Sequence, residues 1–136
     1  MAKFKLEIVT PDRMFYQGEA DMIVVRGIAG EMGILKDHEP FVTPLSIGQV
    51  RIKDDGQFKS AALSQGYMEV LEEKVVILSD TAEWPDEIDI ERAEQARVRA
   101  EKRLEQKVEG LDILRAEIAL KKAVTRIGVA KLPSRH

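Results

Sequence analysis

The sequence contains no cysteine, which excludes a disulfide framework, a thiol nucleophile and a thiolate metal centre. Its two histidines, His38 and His136, stand at distant positions, so a histidine-based metal site would need ligands recruited from afar. Only 5% of residues are aromatic, with Trp84 the single tryptophan, and the core is therefore expected to be aliphatic. No apolar run approaches the ~20 residues that span a bilayer, and no signal-peptide pattern is visible. A cytosolic chain follows, one held at a membrane only through a partner. Neither a phosphate-cradling glycine-rich lysine motif nor a dinucleotide fingerprint occurs. His38, between Asp37 and Glu39, is the one candidate general base, and its setting between Gly33 and Pro40 reads as a structural corner. No catalytic residue and no metal site is assigned.

What is present describes a folded, soluble domain of ordinary size, with 44% hydrophobic and 33% charged residues in 136. The net charge of -3 hides an asymmetry. From Ile113 to His136, six basic residues (Arg115, Lys121, Lys122, Arg126, Lys131 and Arg135) face one acid, Glu117. A basic helix on an acidic body seeks an anion, an acidic protein face, a membrane surface or nucleic acid.

The first part of the chain reads as β-structure. Phe4–Thr10 alternates apolar and polar residues, Pro11-Asp12 makes a turn, and short strands follow at 14–18 and 21–27. The spaced glycines of Gly30-Glu31-Met32-Gly33-Ile34-Leu35 suit a bulge or tight corner. Further strands are expected at 42–45, 48–53, 57–64, 67–71 and 74–79. Asp54-Asp55-Gly56 supplies a hairpin turn and Glu72-Glu73 a polar tip. Many short strands with no helix between them predict an all-β sandwich or barrel over residues 1–84.

The period changes at Glu83-Trp84-Pro85, and residues 85–87 read as a hinge. Asp89 is a natural N-cap, Ile88 before it can staple onto Ala93, and Glu91 suits the first helical turn. Ala93, Ala96, Ala100, Leu104, Val108 and Leu111 form one apolar stripe. Gly110 breaks it, and Asp112 is expected to cap a second helix. The second stripe is Leu114, Ile118, Val124 and Ile127, flanked by Ala116, Ala119, Ala123 and Ala130. The break predicts an antiparallel two-helix hairpin over 88–136, so the fold class is a β-sandwich followed by a helical hairpin. The alanines allow close axes but bury little, so the hairpin needs support from the sandwich, a partner or a ligand. Arg92 and Arg99 lie two turns apart on the first helix, Lys122 and Arg126 one turn apart on the second. With Arg99 level with Lys122, these cations converge where phosphate oxygens would relieve their repulsion. Asp89 and Glu83 are nearby acceptors for an exocyclic amino group of the kind adenine presents. The plain alternative is a set of solvated arginines bonded to neighbouring glutamates.

The chain resembles the epsilon subunit of the bacterial F-type ATP synthase along its whole length. The resemblance rests on several stretches. Gly30-Glu31-Met32-Gly33-Ile34-Leu35, followed by His38-Glu39-Pro40, is similar to that family's signature corner. Ser64-Gln65-Gly66-Tyr67-Met68-Glu69-Val70 and the run from Val75 to Glu83 resemble its next strands. The stretch from Arg115 to Arg126 resembles its last helix. Ile88-Asp89-x-x-Arg92-Ala93 is similar to its ATP-binding motif. Lys36-Asp37 stands where relatives usually have Pro-Gly, and Lys122 where ATP-binding relatives often carry Arg, a point charge in place of a bidentate fork. The resemblance implies a non-catalytic rotor subunit that docks on the gamma subunit and the c-ring and couples proton flow to ATP synthesis. It also implies a hairpin that permits ATP hydrolysis when folded down. Extended upward, the hairpin meets the catalytic beta and alpha subunits and blocks rotation. ATP, with or without magnesium, would be a regulatory ligand held by Glu83, Ile88, Asp89, Arg92, Ala93, Arg99, Lys122 and Arg126. The location implied is peripheral, on the cytoplasmic side of the bacterial plasma membrane. The remaining reading is a nucleic-acid- or protein-binding adaptor using the basic last helix. Nucleic acid is disfavoured by the absence of stacking aromatics from both helices and by the acidic body.

Overall fold

A computed structural model describes residues 2–106 and 111–133. Val108, Gly110, Arg135 and His136, and the side chain of Leu111, which figure in the sequence reading, lie outside the described residues. Ten strands come first: β1 Phe4–Val9, β2 Met14–Ala20, β3 Met22–Gly27, β4 Gly30–Leu35, β5 Phe41–Leu45, β6 Gly48–Asp54, β7 Gln57–Leu63, β8 Gly66–Val70, β9 Lys74–Ser79 and β10 Ala82–Glu83. A single 3₁₀ turn, Pro85–Glu87, leads into helices α1 Ile90–Glu105 and α2 Leu111–Ala130.

The strands pair in the order β10-β7-β6-β3-β5-β8-β9-β1-β2, with β4 added on β3. Every pair is antiparallel except β1 with β9. This curled path closes around one aliphatic core. Alternate residues point inward, so β1 contributes Leu6 and Ile8, β3 Ile23 and Val25, β6 Val50 and Ile52, and β9 Val75 and Ile77, all essentially without exposure. Each such side chain contributes about 1.5–3 kcal/mol by leaving water. Trp84 closes one end, stacked on Phe15 at 4.5 Å with Tyr16 edge-on at 6.3 Å.

Two local features differ from the sequence reading. Gly30–Leu35 is neither bulge nor corner: it runs as a regular strand, paired residue for residue with Met22–Gly27. Gly30, at φ 127°, makes only the turn that joins them. Strand β10 is the other addition, two residues on the edge of β7 with Ala82 opposite Leu63 and Glu83 opposite Ala62. The Asp55-Gly56 turn takes positive φ at both residues, 52° and 79°, the geometry of the tight hairpin expected there.

The helices pack on each other through alanine. Ala93 and Ala100 on α1 and Ala116, Ala123 and Ile127 on α2 are buried, and the seven-residue spacing of the alanines keeps them on one seam. This corrects the expected second stripe: Leu114 and Val124 are 53% and 52% exposed. The reason is steric, because a seam of methyl groups draws the axes together and larger side chains are turned out of it. Asp112 is also corrected, since it lies inside the first turn of α2 and not ahead of it. The hairpin meets the sandwich through Ile88 and Val129, which bury against Ala62 of β7.

The hinge is tied down by Arg13. Its guanidinium donates to both carboxylate oxygens of Glu87, at 2.9 and 2.8 Å, and to the Ala82 carbonyl at 3.2 Å. Glu87 in turn accepts from the Trp84 amide at 3.0 Å. The hydrogen bond to Glu87 raises the Arg13 pKa above its ordinary value.

Candidate functional site

The sequence-predicted residues gather where α1 and α2 meet the edge of the sandwich. Asp89 caps α1, its Oδ1 accepting from the Arg92 amide at 3.1 Å, which satisfies one of the free donors of the first turn. Ile88 is buried against the sandwich and Ala93 is fully buried in the helix seam. Three residues of the Ile88-Asp89-x-x-Arg92-Ala93 motif therefore have structural work. Arg92 has none: it is exposed and, among the described residues, makes no ion pair or side-chain hydrogen bond.

Glu83 and Arg126 are brought together. Antiparallel pairing with β7 sets Glu83 opposite Ala62, beneath α2, while Ile127 and Val129 turn this part of α2 toward the core. The Arg126 guanidinium forks onto the Glu83 carboxylate, Nε to Oε1 at 2.8 Å and Nη2 to Oε2 at 3.1 Å. Both side chains keep about a quarter to a third of their exposure, so solvent screens the pair and its contribution is about 1 kcal/mol or less. It is the described ion pair that joins sandwich to α2. Lys122 and Thr125 share with it a cavity of about 40 Å³, walled by Ile47, Ala62, Leu63, Ser64 and Thr81. That volume admits a few water molecules but not a nucleotide, so a nucleotide phosphate reaching Arg126 from this side must take the place of Glu83.

Arg92, Arg99 and Lys122 each stand one residue before a buried seam alanine: Ala93, Ala100 and Ala123. One residue is a rotation of about 100° on a helix. Two antiparallel helices carry that offset to the same edge of the pair. The cations thus line one edge of the hairpin, and among the described residues Arg99 and Lys122 are also without ion pairs. Arg97 takes the other course: it bonds Glu94 at 2.9 Å and Glu101 at 2.7 Å, and the Glu94 hydrogen bond raises its pKa. Arg99 does not line that cavity; it borders a shallow hollow with Glu91, Glu94, Gln95 and Val98. Sequence reasoning missed Thr125, Ser64 and Thr81 as neighbours of Arg126, and the Arg13–Glu87 tie. No local pattern signals a contact between residues 74 apart.

His38 lies on the exposed loop between β4 and β5, its Nδ1 3.1 Å from the Glu39 carbonyl and its ring tilted against Phe41 at 5.0 Å. Among the described residues no nucleophile–base pair surrounds it.

Comparison with known proteins places this architecture. Residues 3–85 match the family model for the ATP synthase delta/epsilon chain β-sandwich domain, and residues 86–131 that for its long α-helix domain. The ATP synthase epsilon chain of Caldicellulosiruptor saccharolyticus is 50% identical over 127 residues, 93% of either chain. That of Brevibacillus brevis is 51% identical over 132 residues, 96% of this chain and 100% of the relative. A chain in the cryo-EM structure of the Euglena gracilis mitochondrial ATP synthase, OSCP/F1/c-ring in rotational state 1, superposes with a TM-score of 0.81 at 26% identity, over 92% of this chain and 79% of that one. With both modules matched and half of its residues shared with bacterial epsilon chains, the chain belongs to the ATP synthase delta/epsilon chain family, as an epsilon chain of the bacterial type.

Proposed function

We propose that this chain is a non-catalytic rotor subunit of a proton-translocating ATP synthase, with a hairpin whose docking on the sandwich is controlled by ATP. The sandwich would seat on the gamma subunit and c-ring at the cytoplasmic face of the membrane, a reading supported by the similar Euglena gracilis chain, which belongs to an assembly of OSCP, F1 and c-ring. No described helix is long and apolar enough to cross a membrane, in keeping with a peripheral attachment through partners. Folded down, the hairpin permits hydrolysis. Extended, its basic second helix would reach the alpha and beta subunits and block rotation.

The observation that carries this reading is the weakness of the docking. Ile88, Val129 and Ala62 contribute a small apolar contact, on the order of a few kcal/mol, and the screened Glu83–Arg126 fork adds about 1 kcal/mol or less. A ligand that binds only the docked hairpin adds RT ln(1 + [L]/Kd), about 2.7 kcal/mol at a hundredfold excess. Ligand and docking energies are thus comparable, which is the condition for a switch. ATP suits the site chemically. Arg92, Arg99 and Lys122 supply phosphate donors along the hairpin edge, and Arg126 joins them by exchanging Glu83 for phosphate. The released Glu83 carboxylate can then accept from the adenine amino group.

Calorimetry of the isolated chain with ATP, in the presence and absence of magnesium, tests this. Wild type should bind. Arg92→Ala should weaken binding by about ten- to a hundredfold through the loss of a charge-assisted bond. Asp89→Ala should also weaken it and remove a cap worth about 1 kcal/mol to α1. An absence of heat at millimolar ATP, with the protein folded, would overturn ATP as the ligand.

A further inference from the structure

The end of the β6–β7 hairpin remote from Ala62 holds three carboxylates from two separated segments. Asp21 lies between β2 and β3, Asp54 ends β6, and Asp55 begins the turn. One oxygen from each lies within 4.8 Å of the other two. Asp21 is only 6% exposed. Its Oδ2 accepts from the Asp55 amide at 2.8 Å, and its own amide donates to the Lys53 carbonyl at 2.7 Å, so its position is fixed from both sides. Its Oδ1 is the one buried side-chain oxygen or nitrogen among the described residues with no hydrogen-bond partner. Native structures rarely leave a buried acceptor unmet, and a carboxylate is the costliest acceptor to strand.

Lys3 is the resident counter-charge. Its ammonium bonds Asp54 and Asp55 and leaves Asp21 Oδ1 unserved. We propose that Asp21, Asp54 and Asp55 form a calcium-type divalent-cation site, with the Lys3 ammonium as its displaceable occupant.

An all-oxygen donor set selects hard cations over zinc or copper. The carboxylate count then favours calcium over magnesium. Magnesium is usually held by one or two protein carboxylates in a near-ideal octahedron, whereas calcium takes about six to eight oxygens in a flexible shell that three carboxylates and water can supply. Asp54 and Asp55 sit at a partly exposed turn, so water can fill the remaining coordination positions. Lys3 is attached through a flexible stem that is itself a quarter exposed, and it can leave without disturbing the strands.

The test is titration of the full chain with calcium chloride by calorimetry, with terbium as a luminescent substitute for calcium. Burial raises the Tyr16 pKa and the Asp54 charge adds to the rise, which places this ring within electrostatic reach of the site as an antenna for terbium. Wild type should take up one calcium. Lys3→Gln removes the competing charge and should tighten binding by about tenfold or more. Asp54→Asn should weaken it by a similar factor, in the wild-type and the Lys3→Gln background alike. Circular dichroism checks that these substitutions of partly buried residues leave the sheet intact. A folded Lys3→Gln chain that binds neither ion at millimolar concentration overturns the site. Binding indifferent to Asp54→Asn does so too, and magnesium binding as tight as calcium overturns the calcium assignment. The site lies away from the hairpin, so its failure says nothing about ATP.

Discussion

Gly66→Ala should cost the sandwich at least about 3 kcal/mol, a fall of about 15 °C or more in Tm for a unit of this size. A Cβ on Gly66 would lie 1.8 Å from the Leu78 carbonyl oxygen and 2.8 Å from its carbon. Both are backbone atoms, so no side chain can rotate aside to relieve the overlap. Gly66 is pinned from two directions, paired with Ser79 of β9 and with Leu45 of β5, and β9 is itself held between β8 and β1. Relief therefore means separating strands at the centre of the sheet. Gly33→Ala is the control. The nearest atom to its Cβ would be the Ile23 carbonyl oxygen at 3.9 Å, an ordinary contact, so stability should change by no more than about 0.5 kcal/mol. Thermal unfolding of both variants decides the matter, and equal losses would mean that backbone proximity at Gly66 is not what governs it.

That glycine also marks where sequence reading ends. The alternation in Phe4–Val9 or Lys74–Ser79 is a local signal, written in every second residue, and the strands follow it. The Asp55-Gly56 turn and the Asp89 cap are likewise local, each set by one or two side chains acting on their own backbone. Gly66 carries no such mark, because its reason lies in another strand. The same holds for the site. Asp89 and Arg92 were legible because a cap and a helix edge can be counted along the chain. The fork between Glu83 and Arg126 was not, since 43 residues separate them and the pairing depends on how β10 adds to β7. The second helix was misread for a related reason. Leu114 and Val124 have the spacing of a core stripe, but the seam went to Ala116 and Ala123, which admit the closer approach. Hydropathy ranks leucine above alanine; shape at a helix pair reverses the order.

In the whole enzyme, deleting residues 88–136 should abolish the part of hydrolysis inhibition that the hairpin supplies, and this is expected to be the largest functional effect of any change to the chain. The truncated protein should remain a cooperatively folding β protein, because the core of Leu6, Ile8, Ile52 and Ile77 lies wholly before the cut. Point changes at the dock should act in the opposite sense. Arg126→Ala removes the fork that holds α2 to β10 together with a proposed phosphate donor, so the docked state should weaken whether or not ATP is present, and inhibition should deepen. Asp89→Ala with Arg92→Ala leaves the fork intact and removes only the cap and the proposed ligand contacts. Its inhibition should match wild type when ATP is scarce and exceed it when ATP is plentiful, where wild type is held down by about 2.7 kcal/mol at a hundredfold excess over Kd. The three variants, assayed for ATP hydrolysis across a range of ATP concentrations in the assembled enzyme, separate the elements of the mechanism. Truncation that leaves hydrolysis fully blocked would place the latch outside the hairpin. A double variant that tracks wild type at every ATP concentration, beside a truncation that activates, would mean that the helices inhibit and that ATP on this chain does not govern them. Lys122 makes that comparison informative, because a lysine holds phosphate as a point charge where arginine would grip it with two bonds. Lys122→Arg should accordingly move the ATP dependence of inhibition to lower concentration, by about tenfold if the second bond forms.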